Sequence, residues 1–210
     1  MDGFWFFWVF WLIIIATAFF DDNVKRKEIK LFFCFALIIS SMITITLPAV
    51  AIRLSFLLAA LLTYYYLPKA SKRNMVYSFC LSGLLSGVYL LFHYFVYFEP
   101  VWLYLSPTTM ISSLSFVIVI VLINNHVRRI AVMAAGMLQG EIILAFLLYE
   151  RYHPILDTYI IGNYAFLDIA SIGLLLVLCW NGIEKLMNYV KIEWYQRRLR
   201  AQASHKKLNA

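Results

Sequence analysis

The sequence predicts an all-α fold, a polytopic transmembrane helix bundle with about seven spans, from its composition and its hydropathy pattern. Hydrophobic residues make up 63% of the 210 residues and charged residues 14%, against roughly 45–50% and 25% in soluble domains. The mean hydropathy is +0.80. A soluble protein of this length cannot bury so much apolar surface. Soluble, disordered and disulfide-scaffold classes are therefore excluded.

Continuous apolar runs define the spans, because a membrane-crossing helix needs about 20 mostly apolar residues. The runs lack the alternation of barrel strands, which favours helices. No lysine or arginine precedes the first run, so we expect a retained helix rather than a cleaved signal peptide. Pro48 predicts a tight hairpin between the second and third spans; the alternative is six spans, with half of residues 29–67 re-entrant or interfacial. The seven predicted spans are 3–20, 29–47, 49–67, 75–98, 101–123, 130–149 and 159–180.

Positive charges alternate between the connections, and this alternation predicts the orientation. Cytoplasmic loops retain lysine and arginine. The first, third and fifth connections and the segment after residue 180 hold sixteen of them, whereas the even connections hold only Arg151. We therefore expect the N-terminus outside and the C-terminus in the cytoplasm. The net charge of +7 then reflects topology rather than nucleic-acid binding, and the positive clusters are expected against anionic lipid headgroups.

The last part of the chain forms a separate unit in this prediction, with a transmembrane bundle over 1–182 and a basic cytoplasmic tail over 183–210. Apolar residues recur in the tail at steps of three and four, with lysine and arginine interleaved: Ile183, Leu186, Met187, Val190 and Trp194. This pattern predicts an amphipathic helix that lies along the inner membrane surface. We expect residues 201–210 to be frayed, and the sequence identifies no protein partner.

Ionisable side chains inside the spans are the best functional candidates, since each costs about 2.5–3.5 kcal/mol in the membrane unless it is paired. Arg53, Glu141 and Asp168 fall near the midplane of the third, sixth and seventh spans. They predict a buried polar layer in which Arg53 forms a direct or water-bridged ion pair with one of the carboxylates. Such a layer either fixes the helix register or serves the transport of a small solute or of protons.

Three further polar residues in the spans are weaker candidates, namely His93, Gln139 and Asn163. Gln139 and Asn163 are predicted to form hydrogen bonds between helices rather than to bind a ligand. Histidine and cysteine show no metal-ligand spacing, so the sequence predicts no metal and no other cofactor.

Small residues four apart mark two predicted packing stripes, Gly83-x-x-x-Gly87 and Gly136-x-x-x-Gly140. Such stripes let two helices approach closely, and we expect both to lie inside the bundle rather than at a dimer interface. In the fifth span, Pro107 removes a backbone donor and predicts a kink.

Catalytic motifs are scarce in the sequence. It has no G-x-S-x-G, no H-E-x-x-H and no P-loop, and the segments outside the membrane are too short for a soluble catalytic domain. We therefore expect a non-enzymatic membrane protein whose role the sequence does not specify. The alternatives are transport through the polar layer and an intramembrane lipid enzyme that uses Glu141 and Asp168.

The aromatic start of the chain, Met1-Asp2-Gly3-Phe4-Trp5, precedes a basic first loop and a compact bundle with a lysine- and arginine-rich tail. In these features the chain resembles the YphA-type membrane proteins of spore-forming bacilli. The resemblance implies a multi-pass protein of the bacterial cytoplasmic (cell) membrane. It carries over no activity and no site residue.

Overall fold

A computed structural model describes residues 2–46, 50–66, 72–98, 105–152 and 159–208. Pro48, the loop residues 68–71 and 99–100, and the predicted start of the fifth span at 101–104 lie outside the described residues. The described residues form seven helices, in the number and order that the hydropathy pattern predicts: α1 (Phe4–Phe20), α2 (Val24–Ser40), α3 (Leu54–Tyr66), α4 (Lys72–Phe98), α5 (Pro107–Leu122), α6 (His126–Tyr152) and α7 (Tyr164–Leu208).

A small sheet corrects the all-α prediction and the predicted boundary between the second and third spans. The second helix ends at Ser40, and the third begins only at Leu54. Between them, β1 (Thr44–Thr46) pairs antiparallel with β2 (Ala51–Arg53). β-branched side chains favour the strand in this segment, because they lose rotamer freedom in a helix. Arg53 therefore lies on a strand and not inside a helical span.

The third strand comes from the segment before the last helix. β3 (Ile160–Ile161) pairs parallel with β2, in register Ala51 with Ile160. The sheet order is β1-β2-β3, and the sheet stands where α2 ends and where α3 and α7 begin. We call this end of the bundle the sheet end.

The opposite end of the bundle carries the basic connections, and we call it the basic end. There the Tyr77 hydroxyl at the start of α4 donates to the carbonyl of Leu122 at the end of α5 (3.0 Å). Helices α6 and α7 form the centre of the bundle: α6 packs against α3, α4 and α7, while α7 also packs against α1 and α5. The largest fully buried side chains include Phe6, Tyr89 and Met137.

The two glycine stripes behave differently. A Cβ on Gly136 would lie 2.5 Å from Cβ of Leu85, and one on Gly140 would lie 2.7 Å from the Tyr89 ring, so this stripe lets α4 and α6 pack closely, as predicted. Gly83 and Gly87 have nothing within 4 Å of the position that a Cβ would take, and both are exposed. The prediction that the stripe of Gly83 and Gly87 packs inside the bundle is therefore wrong.

Helix lengths give an independent view of the spans. Among the described residues, the helical segments Met75–Val96, His126–Glu150 and Tyr164–Arg198 are long and apolar enough to cross a membrane, and Phe4–Phe20, Leu54–Tyr65 and Pro107–Leu122 are shorter apolar helices. Pro107 is the first residue of α5, capped by Ser106. The predicted kink is therefore a helix start, where the missing proline N–H needs no partner.

The last helix corrects the predicted tail. It runs without a break over 45 residues, from Tyr164 to Leu208, a length of about 68 Å at the helical rise. The basic segment thus continues the last helix without a separate start, and its place relative to the membrane surface stays a prediction. The backbone stays helical through Leu208, beyond the point at which fraying was expected.

Candidate functional site: buried charges at the helix ends

The three residues of the predicted polar layer are all buried, with exposed fractions of 6% for Arg53, 0% for Glu141 and 5% for Asp168. They belong to β2, α6 and α7. Their partners are Gly3, Phe6, Ser41, Tyr89, Tyr159, Gly162 and Tyr164. These contacts place the charged groups toward the sheet end of the bundle. Glu141 nevertheless lies near the middle of α6, fifteen residues from its start and eleven from its end, so the expected position halfway along a span is wrong only for Arg53 and Asp168.

Asp168 caps the start of the first helix. Its Oδ2 accepts from the backbone N–H of Gly3, and its Oδ1 accepts from that of Phe6, both at 2.8 Å. The first N–H groups of a helix have no partner within the helix, and the positive end of the helix dipole favours a carboxylate. The chain enters α1 through Gly3, which has a φ of 93°, and a Cβ at this position would lie 2.9 Å from Cδ1 of the Tyr164 ring. Asp168 therefore ties α1 to α7.

Arg53 lies against the end of the second helix. Its Nη1 donates to the carbonyl of Ser41, the residue that caps α2 (2.8 Å). Its guanidinium carbon lies 3.6 Å from the ring centroid of Tyr164, a cation–π geometry. The Nε of Arg53 is buried without a hydrogen-bond partner in the described part of the chain. A cation at the C-terminal end of a helix meets the negative end of the dipole.

The expected direct ion pair is not formed. Among the described residues, neither Glu141 nor Asp168 makes a salt bridge with Arg53 within 4.0 Å. The reason is visible in the partners: Asp168 is used by backbone N–H groups, and Arg53 by a backbone carbonyl and an aromatic ring. Arg53 and Asp168 each compensate a helix end instead of the opposite charge.

Glu141 accepts three hydrogen bonds at the junction of α4, α6 and the β3–α7 turn. Its Oε2 accepts from the Tyr89 hydroxyl (2.8 Å), and its Oε1 accepts from the Tyr159 hydroxyl (3.0 Å) and the N–H of Gly162 (3.2 Å). Gly162 has a φ of +73°, a left-handed conformation that glycine adopts without strain. The carboxyl group thereby fixes the turn that leads into α7.

The weaker candidates take local roles. The Nε2 of Gln139 donates to the Tyr64 hydroxyl on α3 (3.3 Å), which is the predicted bond between helices. Asn163 does not bridge two helices: it caps α7 by accepting from the N–H of Phe166 (2.8 Å). The Nδ1 of His93 lies 2.9 Å from the carbonyl of Tyr89, one turn back on the same helix. Since a carbonyl only accepts, Nδ1 carries the proton in this contact.

Comparison with known proteins extends over nearly the whole chain. The profile of the YphA-like integral membrane proteins matches residues 2–204. The chain belongs to this family. A relative from Bacillus subtilis (strain 168), the "Uncharacterized protein YphA", is 23% identical over 192 residues, which cover 90% of this chain and 92% of the relative. No solved structure matches. The resemblance seen in the sequence is confirmed, and membership makes the chain an integral membrane protein.

In this YphA-like protein, a second group of buried polar residues lies at the basic end, and sequence reasoning missed it. Arg129 is 3% exposed. Its Nε donates to the carbonyl of Ile123, the residue that caps α5, while Nη1 donates to Asn181 (3.0 Å) and Glu184 (2.7 Å) on α7. The charge count treated Arg129 as a loop residue. The partner of Arg129 could have been found from Glu184, a glutamate that follows shortly after the last apolar run.

Several donors surround the Glu184 carboxylate at the basic end of the YphA-like bundle. Besides Arg129, the Nε1 of Trp180 donates to it (2.6 Å), and the Nδ1 of His126 lies 3.3 Å away. The hydrogen bond from Arg129 is the main cause that lowers the pKa of Glu184 below its ordinary value, and the bond from Trp180 adds to it. The carboxylate is therefore held in its charged form.

Three of the buried charges in this YphA-like bundle lie at helix ends. Asp168 meets the N-terminal end of α1, and Arg53 and Arg129 meet the C-terminal ends of α2 and α5. The described residues contain no group of three or more histidine, cysteine, aspartate or glutamate residues placed to hold a metal ion. In chemical terms, the arrangement neutralises helix ends inside the bundle.

Proposed function

We propose that this chain is a non-enzymatic, seven-span protein of the bacterial cytoplasmic membrane whose buried charges hold the bundle together. The observation that supports this most is the use of both oxygens of Asp168 by backbone N–H groups of α1. Fixed backbone donors on both oxygens favour a structural role for this carboxylate over the binding of a solute. Glu141 accepts three hydrogen bonds, which favours the same role.

The orientation that we propose has the N-terminus outside and the α7 extension in the cytoplasm. Its support is the charge count, since sixteen of the eighteen lysine and arginine residues fall on one side under a seven-span topology. The α7 extension, residues 183–208, then carries Lys185 and Lys191 within about 17 Å of residue 180. Lys185, about 8 Å beyond residue 180, lies at the level of the anionic headgroups, and Lys191 lies farther out.

Cysteine accessibility tests the structural role against transport. Cys34, Cys80 and Cys179 are replaced, and single cysteines are introduced as Glu141→Cys, Asp168→Cys and Asp22→Cys in right-side-out and inverted vesicles. A membrane-impermeant thiol reagent should label position 22, which is exposed at the basic end, from the cytoplasmic side only. Positions 141 and 168 should react from neither side.

The outcomes separate the proposals cleanly. Labelling at position 141 or 168 that a solute blocks would establish a water-filled path and would favour transport over a structural role. Labelling of position 22 from the outer side would overturn the orientation alone.

Headgroup binding has its own test. A fluorophore on Asn188→Cys reports the surroundings of the α7 extension in vesicles of phosphatidylcholine or phosphatidylglycerol. We expect a blue shift with the anionic lipid that salt at about 0.5 M reverses, because salt at that concentration screens exposed charges beyond about 4 Å. The same emission in both lipids would contradict headgroup binding.

A further inference from the structure

A cavity of about 230 Å³, partly open to the protein surface, lies between five helices, α1, α2, α3, α6 and α7. Its wall is mostly apolar, and among the described residues that line it there is no lysine, arginine, aspartate, glutamate or histidine. An engineered apolar cavity of about 150 Å³ binds benzene. The cavity here is about half as large again, and it is separate from the buried charges described above.

One hydroxyl on the cavity wall has no partner. Ser55, the second residue of α3, is 0% exposed, and its Oγ makes no hydrogen bond within the described part of the chain. Buried side-chain polar atoms are paired in the large majority of cases, because an unmade hydrogen bond at a buried site is costly. Ser171 also lines the cavity, but its hydroxyl donates to the carbonyl of Leu167 on its own helix.

We propose that this cavity binds an uncharged amphiphile with a hydrocarbon body and one hydroxyl, carbonyl or ester oxygen that pairs with Ser55 once the serine side chain turns toward the cavity. The lack of charged lining residues favours an uncharged group inside the cavity, since a buried unpaired charge is strongly disfavoured. Met133 and Met137 line the cavity, and their flexible side chains adapt to the shape of a bound hydrocarbon. Thr63 also lines the cavity, but it lies eight residues after Ser55, about 12 Å along α3. A single ligand oxygen that pairs with Ser55 is therefore far from Thr63, and the contact with Ser55 fixes one end of the ligand.

Photolabelling in a bilayer tests the proposal with a probe of this class. The full-length protein in phosphatidylcholine vesicles is irradiated with a diazirine derivative of 1-octanol, and the labelled positions are mapped by mass spectrometry. We expect label on the cavity-lining segments of α3, α6 and α7. Unlabelled 1-octanol should compete at least tenfold better than n-octane, because only the alcohol pairs with the serine.

Two buried serines provide a matched pair of variants. Ser115 on α5 is 1% exposed and its Oγ also lacks a partner among the described residues, but it does not line the cavity. Ser55→Ala should lower the cavity label about tenfold and bring 1-octanol and n-octane to equal competition. Ser115→Ala should leave both unchanged. Equal effects of the two substitutions, or label confined to outward-facing positions, would overturn the proposal.

A cavity-filling variant distinguishes the source of the ligand. Ala134 lines the cavity, whereas Leu84 is 48% exposed on α4, so Ala134→Trp and Leu84→Trp are compared. A neutral lipid that copurifies with the wild type and Leu84→Trp, but not with Ala134→Trp, identifies a membrane lipid as the occupant. Octanol label that only Ala134→Trp abolishes, without a copurifying lipid, identifies a free small amphiphile. Undiminished octanol label in Ala134→Trp speaks against the site.

Discussion

Removing the Asp168 carboxylate should destabilise the bundle through the start of α1. Asp168→Ala leaves the N–H groups of Gly3 and Phe6 buried without their acceptors, which now lie at 2.8 Å. Each unpaired buried donor costs about 1–3 kcal/mol, so the free energy of unfolding should fall by about 2–6 kcal/mol. Asp168→Asn keeps one acceptor oxygen and should lose about half as much.

The assay is equilibrium unfolding in mixed micelles, with sodium dodecyl sulfate as the denaturant and circular dichroism as the signal. Asp22→Ala is the control, because this carboxylate is exposed at the basic end. Hydrogen exchange supplies a local readout: the amides of Gly3 and Phe6 should exchange faster in Asp168→Ala, while that of Val9 changes less. A loss below about 0.5 kcal/mol, with unchanged exchange at these two amides, would refute the capping role.

Three further predictions concern pairing, packing and pH. In a double-mutant cycle of Arg53→Ala and Asp168→Ala, the coupling energy should stay below about 0.5 kcal/mol, since the two side chains form no salt bridge with each other. Gly140→Ala should lower the free energy of unfolding by about 1–3 kcal/mol, because its Cβ would lie 2.7 Å from the Tyr89 ring. Gly83→Ala is the control, since a Cβ at Gly83 would have nothing within 4 Å. This substitution should be neutral or raise the free energy of unfolding by up to about 1 kcal/mol, because alanine favours a helix over glycine. Glu184→Gln should destabilise the bundle at pH 7 and have less effect as the pH falls below 4.5, the ordinary pKa of this side chain. The pKa is lower in the folded state, so the stabilisation is complete above the unfolded value and is lost as the pH falls through the folded value.

These three predictions are checked by the same micelle titration. A coupling of several kcal/mol in the cycle would restore the ion pair between Arg53 and Asp168. Equal effects of the two glycine substitutions would contradict the close packing of α4 on α6. A loss in Glu184→Gln that stays constant down to pH 3 would show that Arg129 does not stabilise the carboxylate.

The number and order of the helices could be predicted from the sequence, because the cost of burying backbone and charge in lipid leaves few choices. The strands could not be located, although a signal was present. Ile43, Thr44, Ile45 and Thr46 are four consecutive β-branched residues, but in an apolar run they fit a buried helix equally well. The break between the second and third helices was correctly expected near this segment. The predicted structure on either side of it was wrong, because strands lie where the sequence predicted helix.

For the buried charged residues, the sequence predicted the burial but not the hydrogen-bond partners. Burial of Arg53, Glu141 and Asp168 followed from their cost in an apolar span, yet their partners did not. The partners of Asp168 are backbone N–H groups 165 and 162 residues away, and every residue except proline has such a group. Only the meeting of α1 with α7 selects Gly3 and Phe6, and that contact depends on the packing of the whole bundle.

The bond between the first and last helices also bears on how the chain is made. Helices enter the membrane in sequence order during synthesis, so α1 is in place long before Asp168 leaves the ribosome. Until then, the first turn of α1 lacks its acceptor, and its exposed N–H groups depend on headgroups or on insertion factors. A chain truncated before α7 keeps these N–H groups permanently without the acceptors that Asp168 supplies.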